Sequence, residues 1–535
     1  MPPTQRVWFG HSQYRSLSNF APEALSERGL KRLKELQRKF GAERVSDDDI
    51  VPQTTWRAVP PRVPDDAVAR MSDTEWIHAM RTLQLRSNGQ FSDIEWDRDS
   101  LSSQLRTRTT TDPERFARLA VVKMPEEVPA SYFSAVLEGL ADVDRDAVPV
   151  EMIVQVIRRL HALPGQPCGL AIGRAVRSIA TEQLPSDIIE VVTFYATLDP
   201  DPSHDDWLEI ESDQDHRQDR AINTGINSVR GVAAEAITGL LFAEPGRIEQ
   251  LGDAVESLVH DRVLAVRALA IRSLLATLRD DEPRSSELFR SLCAGAEPIL
   301  GSQYVEEYLH WAMYRSYESV RPTLLGMLSS PDSPASRAAA RQICLAALQD
   351  GESKDSASAD VKLVVEGDME MRAAAAEVYA RNCGEPDVAK QCIASLQRFF
   401  DDPEERVRIT AARCFSGLGA ERLSEHSDLV EAFSTSRALA DEPMALLYEL
   451  KDVRGRLPPS ICSVAERAVE AWGPEAGDIS TSLSAGASVL SKLIVRFYAQ
   501  TEDDAQRERA LSAIDRMLEI GFMGIDDELR ASDRA

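Results

Sequence analysis

Along most of this 535-residue chain, apolar residues return at intervals of three and four, which sets them on one face of an α-helix. Residues 22–41 read as one amphipathic helix with Leu25, Leu30, Leu33, Leu36 and Phe40 near one face. Residues 45–70, interrupted by prolines, read as a loop crossing a surface. A helix start follows at Ser72-Asp73-Thr74-Glu75. The Ser72 hydroxyl is placed to accept from the third helical N–H while Glu75 reaches back, and Trp76, Met80 and Leu83 continue an apolar stripe. Short helices are predicted near 113–123, 129–142, 149–163, 168–183 and 186–198. Pro129, Pro149 and Pro185 stand at or near three of the starts, where a missing N–H costs little. Short connections make consecutive helices antiparallel neighbours. Residues 199–219 break the rhythm with nine acids and one arginine and are expected to form a solvated loop.

Beyond that loop a short word recurs. Val229-Arg230-x-x-Ala233 is followed by Val266-Arg267-x-x-Ala270, Ser336-Arg337-x-x-Ala340, Met371-Arg372-x-x-Ala375 and Val407-Arg408-x-x-Ala411. The arginines are 37, 70, 35 and 36 residues apart. The interval of 70 spans two periods, so a degenerate unit is expected near residue 302, where Tyr304-Val305-x-x-Tyr308-Leu309 has a helical pattern. The first residue and the alanine of each word share a face, and the alanine lets a neighbouring helix approach closely. The arginine lies beside that face, its stem over apolar surface and its head within reach of an adjacent turn. Asn227, Asp261, Asp332, Asp368 and Asp402 stand upstream as expected N-caps for the second helix of each pair. A pair with one apolar side buries it by stacking on the next.

The architecture this predicts is all-α: an α-solenoid of HEAT-like antiparallel helix pairs, with irregular N-terminal helices and a C-terminal helical cap. Its expected parts are residues 1–111 (irregular and helical), 112–198 (helical pairs), 199–227 (acidic loop), 228–420 (HEAT-like repeats) and 421–535 (cap). In the cap, helices are expected near 438–455, 459–472, 480–500 and 503–520, the last stopped by Gly521.

Charge narrows the function classes. The formal net charge is −26 and the pI about 4.8, which lowers the expectation of a phosphate-backbone or anionic-membrane partner. Seven cysteines without a C-x-x-C pair, most of them inside apolar helices, read as small buried residues in a reducing, cytoplasmic setting. The start of the chain has no apolar leader pattern, and no apolar run is long enough for a transmembrane helix.

Candidate chemistry is sparse. No Walker A word occurs. The run Gly165 to Arg174 lacks its lysine, so Gly169 and Gly173, four apart on a predicted helix, read as a close helix crossing. His204 and His216 share the acidic loop with Asp201, Asp205, Asp206, Asp213 and Asp215, where solvation outweighs a divalent-metal reading. Neither a G-x-S-x-G word nor a cysteine-nucleophile motif is present. The arginine ladder reads as inter-repeat contacts before it reads as a ligand groove. No catalytic residue, cofactor or metal ligand is assigned. Trp207, His310 and Trp311 are the candidate partner contacts, with recognition expected in the acidic loop, the degenerate unit and the cap.

Several local words resemble the helical-repeat region of large bacterial STAND (NACHT-like) NTPases implicated in anti-phage defence. They are the run Ile226 to Ala236 (INSVRGVAAEA), the run Met71 to Trp76, Tyr304-Val305-Glu306-Glu307-Tyr308-Leu309, and Ile514 to Gly521. The resemblance implies a C-terminal sensor acting with an N-terminal effector and a central P-loop NTPase. This chain contains neither of those, so it resembles the sensor half alone, and no catalytic residue carries over. The expected function is therefore a non-enzymatic protein-binding scaffold whose partner is a phage protein or a separately encoded NTPase. The alternatives are a HEAT-like DNA glycosylase, which needs a basic groove with an aromatic-carboxylate pocket, and a HEAT-repeat lyase or chaperone-like protein.

Overall fold

The computed structural model describes residues 14, 17, 25–40, 63–84, 93–144, 147–204, 217–351, 354–423, 425–478 and 483–532. The chain divides into two compact units, Met1–Arg70 and Met71–Ala535. In the first, the helix Glu27–Phe40 buries Leu33 and Leu36 with Tyr14, and Leu17 and Leu25 pack against that cluster.

The second unit is a helical-repeat solenoid, and among the described residues it contains no strand. Nine of its helices stack side by side in one row: α1 (Asp93–Thr111), α2 (Ala130–Asp142), α3 (Gly169–Ser178), α4 (Val229–Ala243), α5 (Leu264–Leu278), α6 (Gln303–Arg315), α7 (Ser333–Leu348), α8 (Met369–Asn382) and α9 (Glu405–Ala412). A companion helix precedes each member from α2 onward and packs on the row, such as Ser186–Thr197 before α4 and Tyr317–Leu328 before α7. The capping box forms as the sequence indicates. The backbone N–H of Ser72 donates to Glu75 Oε2 at 2.7 Å, and the N–H of Glu75 donates to Ser72 Oγ at 3.4 Å.

Every repeated word lies at the start of a row helix, and its alanine is fully buried. The glycines of α3 serve the same close approach. A Cβ on Gly169 would stand 2.4 Å from Val229 Cγ1, and one on Gly173 would stand 2.8 Å from Val232 Cγ1. This crossing of α3 with α4 therefore admits no side chain.

The arginines bind one unit to the next. Arg230 donates through Nε and Nη2 to both carboxylate oxygens of Asp261, at 2.9 and 3.3 Å. Arg372 does the same to Asp402, at 2.8 and 3.2 Å, and Arg408 pairs with Asp441. Each guanidinium also ties down backbone carbonyls: Asp199 and Pro202 for Arg230, Gly367 for Arg372, Asp402 and Pro403 for Arg408. Two members differ. Arg267 meets no carboxylate and donates to the carbonyls of Leu292 and Ala294, while Arg337 lies 3.4 Å from Glu370.

The upstream acids are not a uniform set of N-caps. Asp368 accepts from the N–H of Met371 as a cap does. Asp261 and Asp402 instead accept from the N–H two residues on, at 2.8 and 2.9 Å, and so fold a turn that aims the carboxylate at the preceding unit's arginine. Ser228, not Asn227, caps α4.

The two described ends of the acidic segment are structured. Asp201 accepts from the N–H of Val229 at 2.7 Å, and Arg217–Ile226 is a helix lying on α5. Gly225 makes that contact, because a Cβ there would meet Ala265 O at 2.7 Å. In the cap, the expected helix 438–455 is two pieces, Ala438–Asp441 and Met444–Asp452. Pro443 lacks an N–H, and Glu442 before it is pushed out of the helical region. The first piece continues the row after α9 and hands it on to Ser460–Trp472. Trp472 stacks on Phe522 at 5.8 Å, closing the end of the stack.

Three stability measurements check this account. Arg372→Ala leaves the Asp402 carboxylate, only 6% exposed, without its cation. It should cost about 3–5 kcal/mol in urea unfolding, most of it recovered by the apolar double replacement Arg372→Met/Asp402→Leu. Gly173→Val should cost about 1–3 kcal/mol, because backbone of α4 lies beneath the added carbons. Asp360, on the companion helix Lys354–Val365, accepts from Arg321 at 2.6 and 2.9 Å and from the Tyr317 hydroxyl at 2.9 Å. The Arg321 hydrogen bond above all holds its carboxyl below the usual range. A folded-state pKa depressed in this way contributes stability that is present above the unfolded value of about 4 and is lost as pH falls through the folded value. Asp360→Asn should therefore lower stability at neutral pH and flatten its decline in acid.

Candidate binding face

The signature arginines do not form one common groove, although Arg408 lines a recess of ≈ 510 Å³ with Asp401, Asp441 and Arg467. Arg230, Arg372 and Arg408 are largely buried in their inter-unit bonds, and only Arg337 of the paired members is substantially exposed.

The open surface of the row carries a different set of charges. Arginine and glutamate alternate from helix to helix: Arg106 on α1, Glu138 on α2, Arg174 and Arg177 on α3, Glu235 on α4, Arg272 on α5, Glu306 and Glu307 on α6, Arg337 and Arg341 on α7, Glu370 and Glu377 on α8, Arg406 on α9. Adjacent members pair. Arg106 reaches Glu138 at 2.8 Å and Arg174 reaches the same carboxylate at 3.3 Å, while Arg177 meets Glu235 at 2.6 Å. Arg272 lies 3.6 Å from Glu307. Arg341 binds Glu306 and lies 3.7 Å from Glu377, and Arg406 binds Glu370. Only the α4–α5 step lacks such a pair. It has instead a buried hydrogen bond of 2.8 Å between Thr238 and Ser273 and the Arg230–Asp261 pair beneath. In several pairs the carboxylate is the more deeply set partner, as with Glu235 at 13% exposure against Arg177 at 54%. The arginine side of this ribbon therefore faces outward there.

Beside the ribbon runs an apolar stripe, because residues three, four and seven positions on share its helix face. Phe242 follows Glu235, Leu275 follows Arg272, Trp311 and Tyr314 follow Glu307, and Leu345 follows Arg341. Leu275 and Leu345 are half-buried, whereas Trp311 and Tyr314 are 53% and 56% exposed. His310 packs edge-on to both aromatic rings, at 5.5 and 5.1 Å, and partial burial pulls its pKa down. A recess of ≈ 480 Å³ opens beside Tyr314 between the ends of α6 and α7, with Glu318, Asp350 and Lys354 on its wall. The structure thus brings His310 and Trp311 together with Tyr314, which the sequence reading did not single out although it lies three residues on. Trp207 lies outside the described residues, as do His216 and the acids 205–215.

The aromatics stand on the degenerate unit. Ser302 stands in the place of the arginine, immediately before its helix α6, which buries Val305 and Tyr308. Tyr308 stacks on Phe289 at 3.9 Å and shares a 2.9 Å hydrogen bond with Ser285. The unit is held by large side chains within, and its outer face is free of the ladder.

All seven cysteines are free and buried; burial pushes the thiols of Cys293 and Cys344 up to about 12. Among the described residues no group of three or more metal-ligating side chains converges, and no helix is long and apolar enough to cross a membrane.

No protein-family model matches the chain, and no curated protein matches it. Solved structures do. A crystal structure of Kap121p aligns with 97% of this chain and 57% of its own, at 12% identity and a TM-score of 0.41. Kap121p bound to the SUMO protease Ulp1p aligns with 96% and 57%, at 11% identity and a TM-score of 0.40. A structure of Kap95p, described as inducing the switch loops of RanGDP to adopt the GTP-bound conformation, aligns with 84% and 68%, at 14% identity and a TM-score of 0.38. The chain spans little more than half the length of Kap121p.

Because the aromatic patch adds little to the core, Trp311→Ala and Tyr314→Ala should each leave the free energy of urea unfolding nearly unchanged, within about 0.5 kcal/mol.

Proposed function

We propose that this chain is a non-enzymatic scaffold that recognises another protein through the open face of its helical row. The reading rests chiefly on one observation: Trp311 and Tyr314 stand exposed in the middle of a surface most of whose charges are paired among themselves. Exposed aromatics at the centre of a face, ringed by arginine, are the composition that dominates protein–protein contact energy. Holding them exposed has a hydration cost that no core contact repays.

The more specific reading is that the chain is the sensor half of a bacterial STAND-type defence system, working with a separately encoded NTPase or on a phage protein. Its support is the set of sequence words from Ile226 to Ala236, at Met71 to Trp76, at Tyr304 to Leu309 and at Ile514 to Gly521. A DNA-processing enzyme would need cations free to neutralise phosphates. On this face Arg106, Arg174, Arg177, Arg341 and Arg406 are each held by a glutamate.

Affinity capture on the full chain, from phage-infected and uninfected cells, should recover a protein in at least one condition. Recovery of none in either overturns the scaffold reading. A specific partner that is neither a phage protein nor a P-loop NTPase overturns the defence reading alone.

A further inference from the structure

The last rung of the arginine ladder is only half closed. Arg230 and Arg372 each set Nε and Nη2 on the two oxygens of one aspartate. Arg408 sets Nε on Asp441 and Nη1 on the carbonyls of Asp402 and Pro403, while its Nη2 has no acceptor among the described residues. Its side chain keeps 7% of its surface open, and it lines the ≈ 510 Å³ recess where the one-turn helix Ala438–Asp441 meets the last turns of Ser460–Trp472. That volume falls within the range of small-ligand sites, about 300–1,000 Å³.

Two further arginines reach the same recess. The backbone N–H of Arg437 donates to Asp401 at 2.9 Å and that of Ala438 to the carbonyl of Phe400 at 3.0 Å, so the start of the short helix is fixed on the turn before α9. The Arg437 side chain is exposed and makes no hydrogen bond or ion pair among the described residues. Arg467, also exposed, gives one donor to the carbonyl of Thr435 at 3.2 Å and lies 3.6 Å from Glu470. The carboxylates of the recess are already answered. Asp441 has Arg408, Asp401 has the N–H of Arg437, and Glu470 has Arg467 and, at 4.0 Å, Arg516. The guanidinia of Arg408, Arg437, Arg467 and Arg516 thus outnumber the carboxylates of Asp401, Asp441 and Glu470 by one. Leu439, Ala468, Ala471 and Trp472 supply apolar wall beside them.

This combination selects a ligand. Unspent guanidinium donors match a planar anion with two oxygens. A phosphate would bring about two negative charges beside Asp401, Asp441 and Glu470, and a carboxylate brings one. The apolar wall suits carbon attached next to that carboxylate.

We propose that this recess binds a carboxylate-bearing ligand with an apolar group beside the carboxylate. Nη2 of Arg408 and the guanidinia of Arg437 and Arg467 hold the carboxylate, and the apolar group lies along Ala468, Ala471 and Trp472. Two sources share this chemistry: the free C-terminal residue of a polypeptide and a small carboxylic acid. The inference stands on the recess alone and does not depend on the open face of the row binding a partner.

The test is fluorescence anisotropy on the full chain with a labelled peptide pool whose last residues are randomised and whose C-terminal carboxylate is free. The same pool amidated at its C-terminus runs in parallel, and N-acetyl-leucine, N-acetyl-tryptophan and inorganic phosphate are the competitors, each also titrated alone by calorimetry. The free-carboxylate pool or the N-acetyl amino acids should bind saturably. The double variant Arg437→Gln/Arg467→Gln should weaken that binding at least about tenfold, as should amidation of a bound peptide, with helical circular dichroism and the urea midpoint of the variant unchanged. Arg408 stays intact because it also holds the stack. Peptide displaced by the N-acetyl amino acids assigns a small acid, and peptide that resists them assigns a chain end. The proposal is overturned if neither the pool nor the N-acetyl amino acids saturate, if the amidated pool binds as tightly, if phosphate binds more tightly than either carboxylate, or if the variant binds like the parent.

Discussion

The bond from an arginine of one unit to an aspartate in the turn of the next sets the step on which the second unit of this protein is built. Helix pairs with one apolar side are driven to stack by burial, but burial is non-directional and leaves them free to slide. A planar guanidinium with two donors on one carboxylate and further donors on backbone carbonyls is directional. Arg230 with Asp261, Arg372 with Asp402 and Arg408 with Asp441 fix where each unit sits on its neighbour. Asp261 and Asp402 perform two tasks with one side chain, since folding its own turn is what aims each at its arginine; Asp441 ends a short helix instead. Where the pattern lapses, at Arg267, the donors go to turn carbonyls instead, and the unit that follows is the one whose repeat word is unrecognisable.

The surface ribbon works at a different depth. Its members are mostly a third to a half exposed on the arginine side, where a single ion pair contributes little to stability. Its effect is on what the face presents. A chain with a net charge of −26 would otherwise show acid along its whole length, yet along the row the glutamates are answered by arginines helix by helix. Along the described row these charges largely balance, and the ribbon can meet a partner on local chemistry rather than on the field of the whole molecule.

Much of this was legible in the sequence, and the failures have physical causes. The helices and the all-α solenoid follow from apolar periodicity, and the stacked units from the Arg-x-x-Ala word, because both are local patterns. The ribbon was also written there: Glu235, Arg272 and Glu307 fall five residues after successive anchor positions and alternate in sign, Arg341 falls four after the next and Glu377 five after the one that follows. It went unseen because a repeat is sought as sameness, and the ribbon is a repeat of opposites that has meaning only once neighbouring helices are side by side. The helix Arg217–Ile226 was lost for another reason. Its residues are polar, and what holds it is Gly225 against α5, a contact across some forty residues of chain that no local pattern records. The split at Pro443 needed no distant contact, only weight given to one residue over the periodicity around it.

The degenerate unit ties these levels together. A helix bound by the signature spends its surface on the stack: an arginine for the next unit, an alanine for close approach, a charge for the ribbon. α6 replaces the arginine with Ser302 and the alanine with Val305, and it secures itself through Tyr308 on Phe289. It keeps only its ribbon glutamates. The outer face of the same helix carries Trp311 and Tyr314. Arg272 and Arg337, on the helices either side, lie close to carboxylates without bonding to them. Regularity in this molecule builds the stack, and recognition is proposed where the regularity is relaxed.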